Sequence, residues 1–326
     1  MIKTNVKGWS ISSELIITEA QKLGYEIEII NQNKNLFYIK KDKKKILFKN
    51  IDGGFNSLLG FKLSEDKELT YNILGLNNLP ISKSIYLDIN EKGNFDFDNL
   101  PLNYPLVVKP VDEGHGNGVT VNILDKETLI NSINFAFSFS SKIIIQNYIV
   151  GDDHRVLVVG DKIVAVAKRV PPSIIGNGLK TIKGLIDDEN KNPLRGDKDH
   201  DKPLSTIKID KELNEYLDLQ GFSLETILEK DKEIFLRRNA NLSTGGRSID
   251  LTDVIHPNNI QICIEACKLC QLKVAGVDII TTDISKPLRE TSGVIIEINS
   301  TPGLRMHHFP SEGTSRNVAG EILKLI

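Results

Sequence analysis

The chain has 326 residues, with 41 lysines and arginines against 43 aspartates and glutamates, a formal charge of −2. That balance excludes attachment to nucleic acid or membrane by bulk charge, and 40% hydrophobic with 26% charged residues excludes global disorder. Residues 1–17 lack the basic-then-apolar order of a signal peptide, no apolar run approaches the length of a bilayer span, and three cysteines make no disulfide framework, so a cytoplasmic globular protein of about two domains is expected.

Ile16, Ala20 and Leu23 recur at helical spacing, and Gly24 is placed to end that helix. Alternation over 25–30 predicts a strand, and 36–40 and 45–49 predict two more, with the polar runs 31–35 and 41–44 as turns. The lysine-rich turn reads as a solvated hairpin tip. Gly53–Gly54 breaks the pattern, and a boundary near Leu63 leaves 1–63 as a short leading α/β unit. Further along, 105–109 is a short strand closed by Pro110, and Asp125 caps a helix carrying Leu129, Ile130, Ile133 and Phe137 on one side. An apolar strand is predicted at 142–149 and a hairpin at 155–159 and 162–168. The stretch 176–203 has little periodicity and is expected to be a functional loop or lid. Pro257 opens a helix reaching Leu272, and strands follow at 274–280 and 293–298. Mixed strands and helices predict an α+β or α/β class.

The chemistry is concentrated in three places. In the strand ending Val-Ile-Ile-Glu-Ile-Asn, Glu297 and Asn299 share one face of an otherwise apolar run, and the preceding strand carries Asp278 between Val277 and Ile279. A carboxylate so placed needs a cation or hydrogen bonds to compensate its desolvation. Paired as an antiparallel hairpin, these strands bring Asp278, Glu297 and Asn299 together as hard oxygen ligands suited to Mg²⁺. Second, Gly114, Gly116 and Gly118 follow the strand holding Lys109, a loop whose free backbone can turn N–H groups on an anion while the lysine adds a point charge. It is neither a Walker A loop nor a dinucleotide fingerprint. Third, 236–247 gathers Arg237, Arg238, Asn239, Asn241 and a Gly-Gly turn, a composition that suits a lid over phosphates. Cys263, Cys267 and Cys270 fall at i, i+4 and i+7, the spacing of a buried stripe rather than a metal site. Arg305, His307 and Arg316 follow the acidic strand directly and are expected at the amino-acid end of a substrate, where guanidinium pairs with carboxylate.

Lys67 in Glu-Asp-Lys-Glu-Leu-Thr, Lys109 in Val-Val-Lys-Pro, the glycine loop, 237–246, and Asp278 followed by Glu297-x-Asn299-x-x-Pro302-Gly303 resemble the ATP-grasp superfamily in kind and order. Gly-Asp-Asp-His-Arg at 151–155, Arg-Val-Pro at 169–171, Arg-Gly-Asp at 195–197 and Gly-Leu-Arg-Met-His at 303–307 are similar to the ATP-grasp domain of cyanophycin synthetases, over about 64–319. The resemblance implies an α+β ATP-grasp fold, with two α+β subdomains (about 64–148 and 149–326) clamping ATP after the leading unit 1–63. It implies that Lys67 and Lys109 hold the ATP phosphates beneath Gly114, His115, Gly116 and Gly118. Gln146, Asn147, Tyr148 and Ile149 would form the adenine hinge, with Gln146 standing where many relatives have glutamate. Asp153 would reach the ribose, and Asn239 and Asn241 would join the nucleotide site. Asp278, Glu297 and Asn299 would hold Mg²⁺, expected as two ions and replaceable by Mn²⁺. Arg155 and Gly303 would join Arg305, His307 and Arg316 at the substrate. Gly276 stands where D-alanine–D-alanine ligases carry an arginine, so Arg237 or Arg238, with Lys109, is expected to supply the catalytic charge.

The implied activity is an ADP-forming carboxylate–amine ligase that joins an amino-acid or peptide carboxylate to an amine through an acyl phosphate. A glutathione-synthetase-like peptide ligase and an ATP-binding sensor without turnover are the alternatives. A homodimer is one assembly the resemblance admits. Nothing after Ile326 corresponds to the Mur-ligase-like half of a cyanophycin synthetase, so cyanophycin synthesis by this chain alone is not expected.

Overall fold

A computed structural model describes residues 8–112, 118–196 and 202–326. These form two compact units, one from residues up to 55 with 164–253 and 301–326, the other from 56–163 with 254–300. The sequence-derived division at 63 and 148 differs, because the leading segment clusters with later parts of the chain.

In the first unit, helix α1 (Ile11–Lys22) starts at Ser10, whose hydroxyl accepts from the Ser13 N–H, and ends ahead of Gly24, which takes φ +78°. Ile16, Ile17 and Ala20 are buried along one side. The expected meander follows as strands Glu26–Asn31, Leu36–Lys41 and Lys44–Lys49, all antiparallel. Phe37 and Phe48 stack at 5.7 Å beneath it, with Trp9 edge-on to Phe37. Within 176–203 the structure corrects the sequence reading. A helix runs over Ile182–Glu189, capped by Thr181, and buries Ile182 and Ile186 against Ile174, Leu213 and Leu236. Two helical turns flanked by Gly, Asn, Asp and Lys carry too short a period to stand out. Asp197, in the Arg-Gly-Asp run, lies outside the described residues.

The second unit carries Lys67, Lys109, Gln146, Asp278, Glu297 and Asn299. Helix α2 (Lys67–Leu76) begins at Asp66, whose carboxylate accepts from the Glu68 and Leu69 N–H groups. A four-stranded antiparallel sheet has spatial order Ser84–Asp88, Lys142–Asn147, Leu106–Pro110, Thr120–Ile123. We label Leu106–Pro110 β1 and Lys142–Asn147 β2. The helix Lys126–Phe137, capped by Asp125 as expected, covers one face of this sheet through Leu129, Ile133 and Ala136. A second sheet contains β3 (Asp152–Val159), β4 (Val274–Thr281) and β5 (Val294–Asn299), antiparallel with β4 in the middle. Helix α3 (Pro257–Leu269) carries Cys263 and Cys267 with Cys270 as its cap residue, and all three thiols are free and buried. Burial pushes Cys270 up to about 11, which fits packing rather than ligation.

The class is α+β, as expected: among the described residues every pairing between strands is antiparallel except the two-residue contact of Arg195–Gly196 with Leu204–Ser205. Among the described residues no helix is long and apolar enough to cross a membrane.

Candidate active site

Register builds the site. Asp278 on β4 lies opposite Glu297 on β5 and, on its other side, opposite Arg155 on β3, so three charged side chains form a row across three strands. Asp278 and Arg155 are both buried, and the guanidinium engages both carboxylate oxygens, Nε on Oδ1 and Nη2 on Oδ2 at 3.0 Å. This bidentate pair satisfies two charges that could not stay buried singly. Glu297 is half-buried, and its Oε1 lies 3.8 Å from Lys67 Nζ, which also donates to the Val111 carbonyl at 3.1 Å. Asn299, two residues beyond Glu297 on the same face, has a buried amide nitrogen with no acceptor among the described residues.

Across from this row stands Lys109, near the end of β1. Its ammonium is 5.6 Å from the ring centre of Tyr71, and desolvation takes its pKa down to about 8 against the upward pull of Glu297. Tyr71, one turn after Lys67 on α2, is buried and donates its hydroxyl to the Ile296 carbonyl of β5 at 2.8 Å. Burial raises the phenol to about 12, a Gln146 hydrogen bond works the other way, and the Glu297 charge adds to the rise. Gln146 on β2, level with Val107, shares a sheet face with Lys109 and donates to Ser84 Oγ at 3.0 Å. Tyr71 therefore links Lys109 on β1, Gln146 on β2 and the Ile296 carbonyl of β5, with Lys67 one turn before it on its own helix. Sequence reasoning missed it, although its i, i+4 spacing from Lys67 on a capped helix was available as a signal.

At the end of β2 the chain leaves through Asn147, Tyr148 and Ile149. The Asn147 N–H donates to Lys83 O at 3.2 Å and the Tyr148 N–H to Pro105 O at 2.9 Å. Asp153 lies opposite Ile280. Gly114, His115 and Gly116 lie outside the described residues. Gly118 has φ +68°, and a Cβ there would stand 2.8 Å from Pro110 Cγ and 2.9 Å from the Phe139 ring, so glycine is required.

Among the described residues no three His, Cys, Asp or Glu side chains gather to hold a metal. The set here is two carboxylates and a carboxamide, which together suit a hard divalent cation that keeps water and phosphate as its other ligands. The Asn299 amide nitrogen, without an acceptor among the described residues, supports the fit, since reversing the amide turns the carbonyl oxygen toward the position the nitrogen now occupies.

In the first unit Arg237 is 1% exposed, with Nη1 on Glu212 at 2.5 Å and Nη2 on Asp210 at 2.5 Å and the Lys208 carbonyl at 3.0 Å. Its charge is thus matched by two acids. Arg238 is exposed, with its guanidinium 5.6 Å from the Tyr216 ring centre. Asn239 donates to Glu212, and Asn241 accepts through its carbonyl from Thr244. Arg305 is buried and reaches the Lys202 carbonyl and Ser205 Oγ, both at 3.3 Å. His307 is buried beside it in the chain. Arg316 is held by Asp250 and Asp253, each at 2.6 Å. A Cβ added at Gly303 would meet open space. The guanidinium paired with Asp278 is that of Arg155, and Gly276, where D-alanine–D-alanine ligases were expected to carry an arginine, lies opposite Leu157 and Asn299.

Residues 75–236 match the model of the D-ala D-ala ligase C-terminus, and 227–326 match the RimK-like ATP-grasp domain. A cyanophycin synthetase from Trichormus variabilis is 44% identical over 269 residues, 82% of this chain and 30% of that protein. The glutathione biosynthesis bifunctional protein GshAB of Clostridium perfringens is 32% identical over 319 residues, 97% of this chain and 41% of that protein. A solved bifunctional glutathione synthetase from Pasteurella multocida matches with a TM-score of 0.72 and 28% identity, covering 97% of this chain and 44% of that one. The chain thus spans 30% and 41% of the length of these two curated relatives. It belongs to the ATP-grasp superfamily.

Proposed function

We propose that the chain is an ATP-dependent carboxylate–amine ligase of the cyanophycin-synthetase-like kind, acting on an amino acid or short peptide. The observation that carries this is the gathering of Lys67, Lys109, Asp278, Glu297 and Asn299 around Tyr71 within one unit. An oxygen of the substrate carboxylate attacks the γ-phosphorus of ATP and ADP leaves. The amine then attacks the acyl carbon, phosphate leaves, and the nitrogen loses a proton to give the amide. Lys67 and Lys109 present ammonium groups to the phosphate oxygens. Asp278, Glu297 and Asn299 would hold the divalent ions, Mg²⁺ or Mn²⁺ and two in number, which when bound neutralise charge on those oxygens. Arg155 fixes the Asp278 carboxylate, and Arg238, whose guanidinium is exposed while Arg237 is held by two acids, would supply catalytic charge together with Lys109. Gln146 and the residues after it would meet the adenine and Asp153 the ribose, while Gly303, Arg305, His307 and Arg316 would form the carboxylate end of the substrate site. Balanced charge leaves small molecules, rather than nucleic acid or membrane, as partners.

A glutathione-synthetase-like activity is the second reading, favoured by the reach of that similarity over 97% of the chain against 82% for cyanophycin synthetase. Phosphate and ADP release, screened over amino acids, short peptides, and γ-glutamylcysteine with glycine, separates the two. If no amino acid or peptide stimulates ADP formation, the ligase reading fails.

A further inference from the structure

One cavity in the first unit uses none of the residues assigned to nucleotide or metal. It has a volume of about 560 Å³, with one wall from α1 (Ile11, Glu14, Leu15, Thr18, Glu19, Lys22) and the other from His308, Phe309, Ser315 and Asn317, with Pro203 beside them. The wall residues of α1 recur at three- and four-residue spacing, so they form one stripe of the helix. Two carboxylates enter this cleft, and their surroundings differ. Glu19 is satisfied on both oxygens, by Asn317 Nδ2 at 2.8 Å and Lys22 Nζ at 3.1 Å. Glu14 is half-buried, and among the described residues no cation or donor is paired with its carboxylate. Its neighbours in the cleft wall include Ile11, Leu15 and the 39% exposed Phe309, and desolvation raises its pKa. A charge desolvated in this way is stabilised by a cation arriving with apolar surface of its own.

His308 does not supply that cation. Burial holds its imidazole down to about 4, so it is neutral at ordinary pH, against the opposing charge of Glu19. Its Nε2 accepts from the Ala319 N–H at 3.2 Å, which leaves the hydrogen on Nδ1. Among the described residues the cleft therefore offers one carboxylate without a paired cation, a neutral imidazole and an apolar flank.

We propose that this cleft is a binding site for an organic cation on an aliphatic stem, an alkylammonium or alkylguanidinium, with its charge on Glu14 and its stem against Ile11, Leu15 and Phe309. The proposal rests on no part of the ligase reading.

The test is calorimetric titration of the full chain, without nucleotide, with butylguanidinium and butylammonium, using butanol and valerate as uncharged and anionic counterparts. The cations should bind, and the counterparts should bind at least about tenfold more weakly. Glu14→Gln should weaken cation binding about tenfold, and Phe309→Ala should weaken it measurably. Thr18→Lys, which sets a like charge in the same wall, should abolish it and serves as a second variant if Glu14→Gln does not fold by circular dichroism. Absence of heat with either cation, equal binding of butanol or valerate, or cation affinity unchanged in Glu14→Gln or Thr18→Lys would overturn the site. Because ATP is absent throughout, failure here leaves the ligase assay untouched, and failure of the ligase assay leaves this result untouched.

Discussion

Arg155 and Asp278 face each other across neighbouring strands, both buried, with the guanidinium on both carboxylate oxygens. Each charge is compensated by the other through this two-point contact in the interior. Removing one partner of such a pair typically costs about 3–5 kcal/mol. Arg155→Leu should therefore lower the free energy of unfolding by roughly that amount. Urea denaturation measures it, and a change below about 1 kcal/mol would mean that water reaches Asp278.

Glu297 stands beside Asp278 but keeps one side open toward Lys67. Glu297→Ala should leave the fold intact and lower ADP formation by at least about a hundredfold, the size of effect seen when a preorganised charge at a transferring group is lost. Steady-state ADP release under saturating magnesium reports it; unaltered turnover would remove Glu297 from the metal site.

Lys109 makes a prediction about pH. Its folded value near 8 lies below the ordinary 10.5. Below about pH 8 both folded and unfolded chains carry the proton, and the cost of desolvating the ammonium is fully present. Between about 8 and 10.5 the unfolded chain still holds a proton that the folded chain has lost, so this group makes stability rise with pH across that window. Nucleotide affinity should move the opposite way, because phosphates favour the ammonium and binding above pH 8 must take up a proton. ATP affinity should fall as pH passes about 8, and Lys109→Arg should flatten that fall between about pH 7 and 9.5, since guanidinium stays charged. Titrations in buffers of different ionisation enthalpy count the proton directly.

Tyr71 separates a hydroxyl effect from a ring effect. Tyr71→Phe keeps the ring beneath Lys109 and removes the donor to the Ile296 carbonyl, which should cost about 1 kcal/mol of stability. Tyr71→Leu removes the ring as well and should weaken ATP binding further through Lys109, seen as a larger KM rise than in Tyr71→Phe. Equal KM values for the two variants would show that the ring does not position the lysine.

Gly151 precedes β3, and a Cβ there would fall 2.5 Å from the Thr281 carbonyl carbon and 2.7 Å from its oxygen. Backbone cannot yield as a flexible side chain can. Gly151→Ala should destabilise the protein by roughly 1–3 kcal/mol, measured by thermal or urea unfolding.

What the sequence made legible follows from which signals are local. The strands that became β4 and β5 are almost continuously apolar, so a single acidic residue in each stood out, and an antiparallel pairing was enough to set Asp278 against Glu297. The cap at Asp125 was equally readable, because a cap lies next to the helix it starts. Arg155 was harder. It lies 123 residues from Asp278, and only the register of a folded sheet makes them neighbours. Tyr71 belongs to no motif and earns its place by reaching three strands' residues at once. Arg237 looked like a mobile lid charge because its partners Asp210 and Glu212 lie 27 and 25 residues away, beyond any local pattern.

All three cysteines of the chain sit on or at the end of α3, in the second unit, and none occurs in the first. A thiol reagent added to the native protein can react only when that helix opens. Labelling rates therefore give a background-free clock for the opening of the unit that carries Lys67 and Lys109, and the slowing of that clock by nucleotide would report ligand protection without any enzymatic readout.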